Sequence, residues 1–460
     1  LESFFAIPMI GAVLHTVNVR LSPEQILYTI NHAEDDAILV HSDFLPLISQ
    51  IQDRIEKPTK FIVLDDEGES DFISLSAKHT FCGEYENLRS KQSTTFEFPD
   101  FDENTLATTF YTTGTTGDPK GVAYSHRQLV LHTMSLLGGF SLSEFSNRFH
   151  SGDVYMPTTP LFHVHGWGFP YAATLAGIKQ VYPGRYEPKK LLSLIQKHDV
   201  TFTHCVPTIL QMLLAVEEET PTDLSGLKVI IGGSALSEGL AKAALDRGIN
   251  VFAAYGMSET CPVLTTVELT PEQSDISART KTGKPVPMVE IRIADENMNF
   301  MPQDGKTTGE IVARSPWLTK GYVKNVEATE ALWKGGYLHT GDVGFMEPDG
   351  TLVITDRLKD VIKSGGEWIS SLELENTVSK CAGVKEVAAI GLPDDKWGER
   401  PLIAVVGEAT DEEIRQLLKA EIDCGQLSKW AMPEQIKFVQ EIPKTSVGKI
   451  DKKALRLIYT

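Results

Sequence analysis

The sequence predicts an α/β protein: a large N-terminal domain of several subdomains, with parallel α/β sheets and a small β-rich subdomain, then a small α+β unit. Three observations lead there. From Glu187 onward, apolar runs of strand length alternate with amphipathic runs of helix length, the order that builds a parallel sheet with helices on both faces. From Gly283 the texture changes to short strands between Gly/Pro turns. And 460 residues are too many for a single hydrophobic core, so two or more domains are expected.

Taken in order, Leu1 to Leu14 starts inside an apolar element with neither methionine nor cap, as a truncated or processed fragment would. Ser22-Pro23-Glu24-Gln25 opens a helix, with Ser as N-cap, Pro in the first turn and Gln three residues on; it runs to about Asn31. Ala37–Val40 reads as a short buried strand and Phe61–Leu64 as another, before a solvated acidic connector, Asp65–Asp71. Residues 74–104 carry little signal. Thr105–Tyr111 is apolar and β-branched enough for a strand, and Ser125–Leu136 reads as a helix. Gly138–Gly152 is polar and reads as a surface excursion. The regular stretch then alternates helix (188–198), strand (200–205), helix (208–218), strand (227–231), helix (240–247) and strand (251–255). The β-rich stretch offers strands at 289–293, 309–313 and 350–354. After a boundary at Asp356–Lys363 come helices at 373–379 and 412–422, with apolar strands at 387–390 and 402–406.

A net charge of −19 argues against a nucleic-acid binder, which shows a basic face, and requires any site for a polyanion to be made positive locally. The five cysteines are scattered with no CxxC pair, so a disulfide framework or zinc site is not expected and a reducing cytoplasm fits. No run of eighteen apolar residues suggests a membrane span, and no signal peptide opens the chain.

The most informative stretch is Tyr111-Thr112-Thr113-Gly114-Thr115-Thr116-Gly117-Asp118-Pro119-Lys120-Gly121-Val122. A loop between strand and helix, rich in hydroxyls and free N–H groups, is a device for holding phosphate. It is not the P-loop of NTPases, because Pro119 stands where that motif has glycine before lysine. The order of residues closely resembles the phosphate-binding signature of the acyl-adenylate-forming superfamily, which holds acyl-CoA synthetases, peptide-synthetase adenylation domains and beetle luciferases. The resemblance implies that Thr112, Thr113, Gly114, Thr115, Thr116, Gly117 and Lys120 bind ATP.

Other blocks extend it. In Ala254-Tyr255-Gly256-Met257-Ser258-Glu259-Thr260, Tyr255 offers a flat ring for adenine and Glu259 an oxygen for Mg²⁺, or else merely a carboxylate at a helix N-terminus. The resemblance favours the metal ligand and adds Gly232, Gly233 and Ser234, up to Ala235, as a lining for adenine and the acyl chain. Asp342, at the end of Tyr337–Asp342, can accept both ribose hydroxyls with Arg357 as clamp, although an Asp–Arg surface pair is the plainer alternative. The superfamily pattern makes Asp342 and Arg357 nucleotide ligands and Lys359 the interdomain hinge. It makes Lys363, Gly365 and Gly366 the passage for the pantetheine arm of CoA. Pro443-Lys444-Thr445-Ser446-Val447-Gly448-Lys449 matches its Pro-x-Thr-x-x-Gly-Lys signature, which assigns Lys449 to adenylation alone; the bland reading is an exposed lysine in a basic tail.

Pro160–Gly168 contains His163-Val164-His165-Gly166-Trp167. His-x-His can be a metal pair, but no third ligand is nearby, and a core histidine is the plain reading of His165. His163 matches a family residue close to the acyl group. Trp167 sits where Thermus-type fatty-acyl-CoA synthetases carry a gate over the acyl tunnel, and Gly366-Glu367-Trp368 resembles the segment that couples their adenine site to it.

The resemblance spans essentially the whole chain. It implies domains at 1–358, with the start missing, and 359–460, the latter mobile. The implied activity is a fatty acid:CoA ligase of medium or long chain, using ATP, Mg²⁺ and CoA, by way of acyl-AMP. Alternatives are an aryl or other carboxylic acid:CoA ligase, a luciferase-like oxygenase, or a non-catalytic nucleotide- or acyl-binding fragment; a peptide-synthetase module would need a carrier domain after Lys449. Cytoplasmic location and small-molecule substrates are expected. A homodimer is compatible with the resemblance, although relatives of the subgroup dimerise through residues that precede this start.

Overall fold

The structure, a computed structural model, describes all residues except 67–74, 113–117, 142–145, 271–273, 366, 447 and 460, and gives Trp368 without its side-chain environment. The chain divides into two compact units, residues 1–127 with 322–325, and residues 128–321 with 326–460.

In the first unit, helix Glu2–Met9 accounts for the apolar opening. Ser22 caps helix Pro23–Ala33 through a reciprocal capping box with Gln25, as the sequence predicts. Strands Ala37–His41, Lys60–Leu64 and Thr80–Glu84 form a parallel sheet. The first is less buried than expected: only Val40 is covered. The third strand and helix Tyr85–Ser90 occupy a stretch that carried little signal, because Phe81 and Cys82 face solvent and break the apolar pattern.

The main departure from expectation lies around the threonine-rich loop. It does not lead from strand to helix. Leu106–Thr112 pairs antiparallel with Lys120–Ser125, with Thr112 opposite Lys120, and the helix His126–Ser141 begins only after this second strand. Gly121 lies between Tyr111 and Val323, where an added Cβ would meet both at 3.1–3.2 Å, and Val323 N–H donates to the Gly121 carbonyl at 2.8 Å. Segment 322–325 therefore braces the hairpin from outside the local sequence.

In the second unit, a seven-stranded sheet has the order 284–285, 263–266, 250–256, 228–231, 202–205, 154–157, 179–180; the last five are parallel. Helices Pro188–His198, Pro207–Glu219 and Glu238–Leu245 cross between strands as predicted. The polar stretch 138–152 is not a surface excursion throughout: the helix continues to Ser141, and Asn147 and Phe149 are buried, Asn147 bonding the Val267 carbonyl. A buried Lys228–Asp153 pair at 2.7 Å ties strand 228–231 to the start of strand 154–157.

The β-rich subdomain is a four-stranded antiparallel sheet of Glu290–Ala294, Gly309–Arg314, Leu338–Met346 and Leu352–Arg357. Beyond it, Ile362–Ser364, Glu367–Ile369, Val384–Asp394, Gly398–Gly407 and Gln435–Phe438 form one further sheet. Helices Ser371–Ser379 and Asp411–Asp423 cover one face, around Leu374, Ile403, Val405 and Ile414, and helix Lys452–Tyr459 the other, around Ile390, Leu402 and Leu455.

Candidate active site

Because strands 154–157, 202–205, 228–231 and 250–256 run parallel, the loops after all four emerge at one end of the sheet, where open α/β sheets take ligands. Three predicted segments, 160–168, 232–235 and 256–260, lie there with the loop 206–208.

Tyr255 is buried at the end of its strand and donates its hydroxyl to Asp342 Oδ2 at 2.7 Å. Arg357 Nε pairs with Asp342 Oδ1 at 3.0 Å, while Asp342 and Arg357 face each other across adjacent antiparallel strands. Asp342 is 4% exposed but the Arg357 side chain is 47% exposed, so the pair contributes little to stability, about 0–1 kcal/mol. Its value is positional: both Asp342 oxygens are held by partners. Burial, then the Asp342 charge, pushes the Tyr255 phenol well above its ordinary pKa, so it stays a neutral donor. Glu259 lies in the short turn Ser258–Thr260 and is buried; its carbonyl accepts from Thr319 N–H, and Trp317 Nε1–H donates to the Thr260 carbonyl at 3.0 Å. Ala254 pairs with Thr266 in the sheet, and Met257 N–H donates to Thr260 Oγ1 at 3.0 Å.

Lys449 comes from the far end of the chain to this strand-end surface. A Cβ placed on Gly233 would lie 2.9 Å from Lys449 Cε, and Thr208 Oγ1 donates to the Gly448 carbonyl at 2.7 Å. Burial lowers the Lys449 ammonium to a pKa of about 8, with repulsion from Arg357 and Lys359 set against attraction from Asp342 and Glu259. The structure therefore gathers Lys449, Gly233, Tyr255, Glu259, Asp342 and Arg357. His163 belongs to the same neighbourhood: burial first, then the charges of Lys449 and His204, lower it to about 3, so it is a neutral imidazole.

Trp167 is buried against Gly232, where an added Cβ would be 3.0 Å from the indole, and it stacks on His204 with ring centroids 4.9 Å apart. His204 bonds Tyr155 at 2.7 Å through Nε2 and Thr159 at 3.0 Å through Nδ1. Sequence reasoning missed His204; its only signal was a polar residue inside the apolar strand 202–205. The backbone from Val164 to Gly168 is left-handed at every residue, with φ from 47° to 75°. Each non-glycine there costs roughly 1–2 kcal/mol, which marks a segment held by its surroundings. Among the described residues no three His, Cys, Asp or Glu side chains cluster as a metal site.

Not all predicted residues join this group. Lys363 lies in the C-terminal sheet and Gly365 in the turn after that strand: Lys363 N–H donates to Glu399 at 2.8 Å, and Gly365 fits under Trp430, where a Cβ would be 2.8 Å from the ring. Ser234 is exposed. Thr112 and Lys120 belong to the other unit, with Lys120 Nζ 4.8 Å from the Tyr322 ring centroid. Thr113 to Gly117 and Gly366 lie outside the described residues, as does the side chain of Trp368.

With fold and geometry in view, comparison with known proteins gives the class. Residues 1–323 match the AMP-binding enzyme family and residues 373–449 the AMP-binding enzyme C-terminal domain, and the chain belongs to that family. It is 42% identical to a long-chain-fatty-acid–CoA ligase of Thermus thermophilus, over 100% of this chain and 83% of the relative. It is 35% identical to a medium-chain-fatty-acid–CoA ligase of Ectopseudomonas oleovorans, over 100% and 84%. The anthranilate CoA ligase AuaEII in complex with anthranoyl-AMP superposes with a TM-score of 0.85 at 26% identity, covering 99% of this chain and 84% of that one. No helix among the described residues is long and apolar enough to cross a membrane.

Proposed function

We propose that the protein is an AMP-forming fatty acid:CoA ligase. A carboxylate oxygen attacks the α-phosphorus of ATP, the bond to pyrophosphate breaks, and acyl-AMP remains. The CoA thiolate then attacks the acyl carbonyl and AMP leaves, giving the thioester. The observation that carries this reading is the 42% identity to a long-chain-fatty-acid–CoA ligase across the whole of this chain, joined to a strand-end site where Lys449 meets Asp342 and Glu259.

In this reading Asp342 accepts the ribose hydroxyls, Arg357 fixes its second oxygen, and the Tyr255 ring supports adenine alongside Ala254, Gly256, Met257, Ser258 and Gly232 to Ser234. Thr112 to Gly117 and Lys120 serve the phosphates. Lys449 supplies positive charge where the attacking carboxylate and α-phosphate meet; pre-positioned charge of this kind stabilises the transition state without reorganisation. His163, uncharged, lines the acyl end. A magnesium ion would neutralise the departing pyrophosphate, and the buried Glu259 fits as one of the one or two protein carboxylates such an ion takes beside phosphate oxygens. Residues 359–460 would turn about Lys359 between the steps, so that Lys363, Gly365 and Gly366 admit pantetheine. The separate sheet and two-sided core of that segment support its movement as a body.

Trp167, packed on Gly232 and His204, would gate the acyl pocket, with Trp368 communicating from the adenine side. Each buried CH₂ adds about 0.8 kcal/mol, so two carbons of chain are worth roughly tenfold while the pocket continues. Acid-dependent pyrophosphate exchange, run with fatty acids of graded length, tests the reading. Exchange rising with chain length to a limit, and acyl-CoA on adding CoA, is expected. Exchange with benzoates alone would move the substrate to aryl acids, and none with any acid would reject the ligase.

A further inference from the structure

Helix Ser371–Ser379 touches elements on the far side of Lys359 at both its ends. At its start, Asp356 is buried at 2% exposure and accepts the Ser371 N–H at 2.6 Å and the Ser371 hydroxyl at 3.0 Å. The Ser370 hydroxyl also reaches the Thr355 carbonyl. Lys452 Nζ donates to Ser371 Oγ at 2.6 Å and pairs with Glu375 at 2.7 Å, so the helix and the C-terminal helix grip Asp356 together. Consecutive strand residues point to opposite faces. Arg357 therefore meets Asp342 in the nucleotide site, while Asp356, one residue earlier, meets the start of helix Ser371–Ser379.

At the other end, Glu238 N–H donates to Asn376 Oδ1 at 3.0 Å, Asn376 Nδ2 donates back to Glu238 Oε1 at 3.3 Å, and Lys380 pairs with Glu238 at 3.1 Å. Between them Gly239 sits so close that an added Cβ would stand 2.4 Å from the Ser379 carbonyl oxygen. Gly239 lies in the first turn of helix Glu238–Leu245, where alanine is the better helix former by up to about 1 kcal/mol. The glycine is needed only by what packs on it.

We infer that helix Ser371–Ser379 is the docking element that holds Lys449 in the site, seated on Gly239 at one end and on Asp356 at the other. This rests on the reading of Lys359 as pivot: Asp356 and Gly239 precede it, the helix follows it, and a turn about it separates both contacts. Asp356, Gly239 and Ser371 touch no substrate in this reading and are positioning residues.

Gly239→Ala tests the inference in the intact protein, beside Lys449→Ala. Expected for Gly239→Ala is unchanged or raised thermal stability, acyl-AMP formation down about tenfold, equivalent to about 1.4 kcal/mol, and thiolysis of supplied acyl-AMP within about twofold of wild type. Ser371→Ala should give the same split more weakly. Should Lys449→Ala lose only the first step while Gly239→Ala leaves both steps alone, or slows both equally, the dock is overturned and the pivot survives. Should Lys449→Ala slow both steps equally, the two-orientation reading falls and takes the dock with it. In wild-type protein, the Ser371 amide should exchange hydrogen slowly with ATP alone and faster once CoA and a non-reactive acyl-adenylate analogue are both bound; equal protection would also overturn the dock.

Discussion

Gly233 leaves open the space that the Lys449 side chain fills, with Lys449 Nζ 3.5 Å from where a Gly233 Cβ would stand. Two residues 216 positions apart in sequence are thus fitted to one another. Lys449→Ala should cut acyl-AMP formation by about 10²–10³-fold while supplied acyl-AMP still reacts with CoA. Gly233→Ala, whose φ of +76° also disfavours a side chain, should lower the first step by displacing the same ammonium. Separate assays of the two half-reactions decide both.

Lys449 also sets a pH limit. Under the proposed function its ammonium is the working form, and burial above all brings its pKa from 10.5 down to about 8. The adenylation kcat/KM should therefore fall as pH rises through about 8, a limb that the thiolysis profile lacks. Lys449→Arg should remove that limb, since a guanidinium stays protonated. For folding the sign is opposite: the buried charge is a cost in full below pH 8, relieved as pH rises toward 10.5.

Asp342 joins Tyr255 and Arg357, and replacing it leaves a buried phenol without its acceptor. Asp342→Ala should raise the KM for ATP by about 10–100-fold, in line with losing a charged hydrogen-bond acceptor worth roughly 1.5–3 kcal/mol. Tyr255→Phe keeps the ring and should change ATP binding less than tenfold. Nucleotide titration of the two variants separates ribose anchoring from ring stacking.

Trp167 is 5% exposed. Trp167→Ala should destabilise the fold by about 3–5 kcal/mol, less whatever the left-handed run from Val164 to Gly168 recovers on relaxing. It should also broaden chain-length preference in the pyrophosphate exchange assay. An unchanged preference would separate Trp167 from acyl selection.

Local signals carried much of the fold. The Ser22–Gln25 capping box and helix Pro188–His198 are written in adjacent residues and needed no tertiary knowledge. Strand Lys120–Ser125 was hidden because it is defined by pairing with Leu106–Thr112 across an intervening loop, not by its own pattern. Tyr255 and Asp342 were each flagged by motif, but their hydrogen bond joins residues 87 apart, and no spacing rule reports that. His204 and Gly239 gave almost no local signal. One resembles any polar residue in a strand and the other any helical glycine, until Trp167 and Ser379 are seen against them.

Strands Leu106–Thr112 and Lys120–Ser125 are locked in step as far as the Thr112–Lys120 pair. That ladder fixes which face of the second strand each side chain occupies. A slip of one residue in this register would turn the whole second strand over. A slip would carry Lys120 away from Tyr322 and Gly121 away from Val323. Variants that shift this register should therefore lose the brace at residues 322–325.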